Sequence, residues 1–324
     1  MTARERFHET LNFGKPDRVP YFEEGIRKTV IRKWRKQGLA KAADLTRMFP
    51  SDHREEIITE LDPLPPFRKW PTTLDDLLLL QKRLNPNDSR RLPHFWNIRI
   101  KKWCNRDHVL MLRVHRGFFL SLGVGDWSRF EEILILLRDK PDFIREYMRI
   151  QGDFAAQLAE KILKEVEVDA AIFSEPIGGA DRPLLSPYMY EEFVLKSYLP
   201  LLDTLRRNAV NTIILLTYAN FRALIPSILK FGINCLWACE TNIKEMDYRD
   251  IRREFGRSLG LIGGIDLDTL KKDKAAIRKE IEEKVPPLLA DGGYIPLADG
   301  RVREDVPFQN YVYYRQLLLD VTKG

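Results

Sequence analysis

Acidic residues recur at one kind of place in this sequence, directly after short apolar runs rich in β-branched and aromatic residues. Glu23 and Glu24 follow RVPYF, Ser174 and Glu175 close DAAIFSE, Glu240 closes INCLWACE, Asp266 closes LGLIGGID, and Asp299 closes GGYIPLAD. The run from Thr212 to Leu216 ends instead in Thr217, Tyr218, Ala219 and Asn220, which offer hydroxyl and amide groups. Any one of these acids is also an ordinary helix cap or turn former. Repeated at the same structural position, they predict an acidic pocket in which crowded carboxylates raise one another's pKa, so that one stays protonated as a general acid. Arg27, Arg116, Arg182 and Arg301 lie within a few residues of such ends, and a guanidinium fork suits a substrate carboxylate or phosphate. Arg301 stands out because DGRVREDVP follows the last run directly. Glu175, Glu240, Tyr218 and Asp266 are therefore the candidate catalytic groups. Glu23, Arg27, Ser174, Asn220, Asp299 and Arg301 are the candidate substrate contacts.

The elements that must position these residues alternate. Apolar runs at RVPYFEEG, IITELDP, HVLMLRVH, DAAIFSE, TIILLTY, INCLWACE, LGLIGGID and GGYIPLAD are each followed by sequence of helical period. Strict strand–helix alternation requires parallel pairing, and eight units close naturally into a (β/α)8 barrel, whose strand carboxyl ends converge on one mouth. An open doubly wound sheet is the runner-up, but it would want a glycine-rich phosphate turn, and no G-x-G-x-x-G occurs. Ahead of the barrel, Thr2 to Asn12 reads as a capped helix, and Arg27 to about Gln37 as a basic amphipathic one. Ser186 and Pro187 mark the start of a long helix running to about Arg207. Prolines 50, 63, 65, 66, 71, 86 and 93 crowd the stretch from 50 to 101, which reads as an excursion over one barrel end, in the manner of a lid.

At 324 residues the chain fits one such barrel, so a single domain over 1–324 is expected. The 53 basic and 47 acidic residues are interleaved, and despite a net charge of +6 this argues against a nucleic-acid surface. No apolar run is long enough to span a bilayer, and no secretory signal opens the chain, which points to the cytoplasm. Cys104, Cys235 and Cys239 leave one cysteine necessarily odd and suit a reducing compartment. Cys235 and Cys239 fall four residues apart in one apparent strand, roughly 13 Å, too far to grip one ion, and read as free buried thiols.

Several segments together carry a resemblance. The opening TARERFHETLNFGKPDRVP, the segment FSEPIGG followed by LLSPYMYEEFVLKSYLPLL, the pair LIGGID and DGGYIPLAD, and the closing DVPFQNY resemble the uroporphyrinogen decarboxylase superfamily over nearly the whole chain. The resemblance implies an eight-stranded barrel with a deep mouth, Ser174 and Glu175 bordering the cavity, and Asp266 and Asp299 near its floor. It implies one of two chemistries: decarboxylation of uroporphyrinogen acetate groups, or methyl transfer between a corrinoid carried by a partner protein and a methyl donor or acceptor. The superfamily often dimerises, so a homodimer is also implied.

Neither of the superfamily's catalytic sets is intact. Where the decarboxylases carry an arginine-rich loop, this chain reads FEEGIRK, and their histidine after the last strand aligns with about Gly300. The methyltransferase branch places a His-x-Cys zinc motif where Leu216 and Tyr218 stand, and no cysteine follows the last strand here. No tightly bound cofactor and no thiolate-zinc site is therefore expected. A metal would have to rely on Glu23, Glu175, Glu240, Asp266 or Asp299, an oxygen-rich set suited to Mg²⁺, Mn²⁺ or a weakly held zinc. The expected function is methyl transfer or demethylation of a small methylated substrate with a corrinoid partner, using mouth carboxylates as acid and base. The alternatives are decarboxylation of a carboxylated tetrapyrrole and a non-catalytic tetrapyrrole or corrinoid binder.

Overall fold

The computed structural model describes residues 1–240 and 244–323. Seven strands form one all-parallel sheet in sequential order: β1 (Arg54–Ile58), β2 (Val109–His115), β3 (Ala170–Ser174), β4 (Ile213–Tyr218), β5 (Cys235–Cys239), β6 (Gly260–Ile265) and β7 (Tyr294–Ala298). Each neighbouring pair is parallel, with registers such as Tyr218↔Cys239 and Ile265↔Ala298. Side chains of alternating parity divide the apolar residues into two clusters. One, comprising Val109, Met111, Ala170, Ile172, Ile214, Leu216, Cys235, Trp237, Cys239, Ile262, Ile295 and Leu297 with Phe7, Leu11 and Phe22, fills the concave interior of the curled sheet. The other, much larger, packs the sheet's outer face against the helices. This is a TIM-like α/β fold.

Six of the expected strands appear close to their expected bounds. The expected second strand appears earlier, as Arg54–Ile58 and not Ile57 to Pro63, because its lumen-facing positions carry Arg54 and Glu56 and so escape an apolar pattern. The expected first strand, RVPYFEEG, is not a strand: residues 18–27 carry no strand assignment. The local chemistry explains this. Pro20 has no N–H to donate. Asp52 meets Tyr21 twice, accepting its N–H on Oδ2 at 2.7 Å and donating its own N–H to the Tyr21 carbonyl at 2.7 Å. Side-chain bonding thus replaces a ladder, while Phe22 still contributes to the interior cluster.

Helix α1 (Ala3–Leu11) is held by a capping box between Thr2 and Glu5, as Thr2 predicted. It lies at the amino-terminal end of the strands and inserts Phe7 and Leu11 into the interior cluster. Its anchor is Asp169, just before β3. The Asp169 carboxylate accepts from Arg4 Nε at 2.6 Å, Arg106 Nη2 at 3.0 Å and the Leu110 N–H at 2.8 Å, and meets His8 Nε2 at 2.9 Å. Burial opposes its charge, but these partners prevail and hold it well below the usual carboxylate range. The proline-rich stretch packs along the flank beside β2, where Arg129 donates to the Pro71 carbonyl at 3.2 Å, and Asp62 pairs with Arg116 beyond β2. Ser186 caps the helical segment that opens at Pro187, accepting from the Met189 N–H at 3.2 Å.

Candidate functional site

The strand carboxyl ends carry the polar residues that the sequence pattern singled out, but alternation sends neighbours to opposite faces. Ile172 and Ser174 share one parity in β3, and Ile172 is interior, so Glu175 belongs to the other face. There it is buried between sheet and helices. The Phe118 N–H donates to its Oε1 at 2.8 Å, and the Tyr198 hydroxyl to its Oε2 at 2.6 Å. Burial raises its pKa to about 7, against the pull of those two donors. Gly117 makes the approach possible: it sits at φ +95°, and a Cβ there would come 2.5 Å from the Ser174 carbonyl and 2.9 Å from Glu175 Oε1. Glu175 therefore lies behind the sheet, away from the interior.

The interior mouth is built instead by an alternating set of charges. Arg54 and Glu56 on β1 and Arg113 on β2 share parity with the interior residues Met111 and Val109. Glu56 accepts from Arg54 Nη1 and Arg113 Nη2, each at 2.8 Å, and Arg54 Nη2 also donates to Glu24 Oε1 at 2.6 Å. The Arg54 guanidinium lies over the Trp237 ring, 4.9 Å from its centroid, so this chain of charges rests on the aromatic floor of the interior. Burial raises the Glu24 pKa; Arg54 and Arg301 pull it down while Glu56 and Glu23 push it up, and the net shift is upward.

Tyr218 and Cys239, paired in register at the ends of β4 and β5, complete the cluster. Tyr218 is 39% exposed, so its hydroxyl is open to solvent and to a ligand. Burial, then Cys239, raises its pKa, with Glu24 and Glu240 adding to this and Arg113 opposing, so the phenol remains a proton-bearing donor. Burial, reinforced by Asp299, Glu24 and Glu240, pushes the Cys239 thiol up to about 12. These mutual influences bring together Glu24, Glu56, Arg113, Tyr218, Cys239, Glu240, Asp299 and Arg301 in one mouth. Glu240 is exposed there, with its backbone at φ +59°. Asp299 is nearly buried and accepts from the Gly264 N–H at 3.2 Å.

The remaining sequence candidates lie elsewhere or hold the frame. Glu23 binds the C-terminal helix (Phe308–Thr322), accepting from the Tyr311 hydroxyl and from Arg315 Nη1 at 2.9 Å. Asn220 staples two loops, its Nδ2 donating to the Asp181 carbonyl at 2.8 Å and its N–H to the Gly179 carbonyl at 2.9 Å. Asp266 caps the turn after β6, accepting from the Asp268 N–H at 2.8 Å. Arg27 is exposed at the start of the basic helix Lys28–Arg35, and Ser174 is half-buried at the end of β3. Sequence reading missed Arg54, Glu56 and Arg113. Arg113 carried a usable signal, since it breaks the alternation Val109, Met111 in an otherwise apolar strand.

A thiolate-bound zinc does not fit this mouth. Leu216 is packed in the interior cluster and Tyr218 occupies the position two residues on, so neither soft ligand of a His-x-Cys site is present there.

A parallel α/β sheet curled round an apolar interior, with its polar residues gathered beyond the strand carboxyl ends, has the layout of the barrel-type enzymes. A family model for uroporphyrinogen decarboxylase (URO-D) matches residues 121–296, and the chain belongs to that family. No curated protein matches the chain. The matched span contains Tyr218, Cys239 and Glu240, whereas Glu24, Arg54, Glu56, Arg113, Asp299 and Arg301 lie outside it.

Proposed function

We propose that the mouth is the active centre of an enzyme that removes or transfers a methyl group of a small methylated substrate, with a corrinoid carried by a partner protein as the other reactant. The observation that carries this reading is the state of Glu24, a mouth carboxyl whose pKa is raised beside a proton-bearing Tyr218. A methyl group bound to oxygen or nitrogen leaves readily only if the departing atom gains a proton. Glu24 is the proton donor in this scheme, and Tyr218 orients the leaving atom by a hydrogen bond. Glu240 and Asp299 accompany them as mouth acids, with Arg301, close enough to act on Glu24, as the cation available to a substrate carboxylate.

Charge argues against the decarboxylation alternative. Arg54 and Arg113 are already engaged by Glu24 and Glu56, so neither guanidinium is free to hold a substrate carboxylate. A substrate with many carboxylates would find few free cations to pair with. The test is methyl transfer from methoxylated and methylamine-type donors to a reduced corrinoid, followed spectrophotometrically. Replacing Glu24 by Gln is expected to slow the transfer by roughly 10²–10⁴-fold, the usual contribution of a general acid. Transfer at the wild-type rate in that variant would remove Glu24 from the chemistry.

A further inference from the structure

At the opposite end of the sheet from the mouth, three residues that no part of the proposed chemistry uses converge. His53 precedes β1 and His108 precedes β2. The register Arg54↔Val109 sets the two histidines side by side, and the Val109 N–H donates to the His53 carbonyl at 3.2 Å. Their rings are tilted by 36° to one another, with centroids 4.2 Å apart. Glu55, two residues beyond His53, has the same parity and points to the same outer face. Its Oε1 lies 3.3 Å from His108 Nε2 and 3.6 Å from His53 Nε2, and one donor atom from each residue falls within 4.8 Å of the others.

We propose that His53, Glu55 and His108 form a binding site for a divalent transition-metal ion, with Zn²⁺ as its best-matched occupant. Two imidazole nitrogens and one carboxylate oxygen are borderline donors suited to Zn²⁺, and three protein ligands leave a fourth tetrahedral position for water. An independent observation points the same way. The His108 side chain is 7% exposed, and its Nε2 is buried without a hydrogen-bond partner while directed at the cluster. A buried polar nitrogen left unsatisfied is costly, and a metal ion would satisfy it. The carboxylate is already oriented, since the Trp103 indole N–H donates to Glu55 Oε2 at 3.0 Å and leaves Oε1 facing the histidines, the kind of outer support that metal ligands receive.

One group competes for the position. The exposed Lys102 ammonium donates to Glu55 Oε1 at 3.0 Å and must swing away for a cation to enter. The site joins the starts of β1 and β2 at the strand amino ends, away from the mouth, so its ion acts as a staple of the sheet and takes no part in the reaction there.

Zinc alone is the probe, titrated into untagged, chelator-treated full-length protein by calorimetry and by thermal unfolding. Wild type is expected to take up one Zn²⁺ per chain and to melt at higher temperature with it. His53→Ala, at an exposed position that the fold does not depend on, is expected to weaken binding by more than the roughly 10–100-fold that loss of an outer-shell partner costs. Lys102→Ala is expected to tighten it, because the competing ammonium is gone. Cobalt in place of zinc should give the visible bands of a tetrahedral nitrogen and oxygen site, without a thiolate charge-transfer band. Uptake of equal affinity in wild type, His53→Ala and Glu55→Gln would overturn the assignment, as would no uptake by either wild type or Lys102→Ala.

Discussion

Glu23 and Glu24 are adjacent in the chain and opposite in role. Glu23 ties the segment to Tyr311 and Arg315 of the C-terminal helix, while Glu24 enters the mouth beside Arg54. Nothing in the string FEEG separates them, because the segment is not a strand and its facing is set by long-range bonds to Asp52 and to the last helix. Glu175 shows the converse. Its carboxyl was legible as a strand-end acid, but parity turns it behind the sheet, where burial raises its pKa to about 7. Its effect on stability has a definite sign. The folded-state pKa lies above the ordinary glutamate value of 4.5, so its contribution is fully present below about pH 4.5 and is lost as pH rises through about 7. Relative to wild type, Glu175→Gln should gain stability between pH 5 and pH 8, on the order of 3 kcal/mol, read from urea midpoints at the two values. Identical pH profiles for the two proteins would contradict this placement.

The strands and their caps were the most legible elements, because apolar runs, Ser186 with Pro187, and Thr2 act locally. What lay hidden depended on packing between elements. The glycine pair of LIGGID reads only as a turn-like interruption, yet Gly264 sits at φ +82°, and a Cβ there would come 2.6 Å from the Tyr248 ring. The Tyr248 hydroxyl in turn accepts from the Ala238 N–H at 2.9 Å and donates to the Ile262 carbonyl at 2.8 Å, bridging β5 and β6. Gly264→Ala should therefore cost on the order of 3 kcal/mol from backbone strain and displacement of Tyr248, measured by denaturant unfolding. The junction of α1 with β2 and β3 makes a second prediction. Asp169 has a depressed pKa, so its stabilisation is present above the ordinary carboxylate pKa and is lost as pH falls below about 4. Asp169→Ala should cost about 3–5 kcal/mol near neutral pH, by stranding the buried Arg106, and should flatten the acid limb of the stability curve.

At the scale of the whole molecule, the parallel α/β architecture follows from alternation alone, whereas the composition of the mouth does not. The lumen-facing charges Arg54, Glu56 and Arg113 sit inside strands, where a search of strand ends cannot find them. With Glu24 they form one paired chain that leaves few free cations among the described residues of the mouth, and on this rests the preference for a small substrate over a polycarboxylate. The same feature predicts that Arg113→Met, which frees Glu56 from one partner, raises the pKa of neighbouring acids and moves the high-pH limb of any pH–rate profile upward. An unmoved limb would place the acid elsewhere. The most direct test of the account is a paired assay on one preparation: methylation of a reduced corrinoid from small methylated donors, and carbon dioxide release from uroporphyrinogen. The account predicts corrinoid methylation that depends on Glu24 and no release from uroporphyrinogen. Carbon dioxide release without methylation would contradict it.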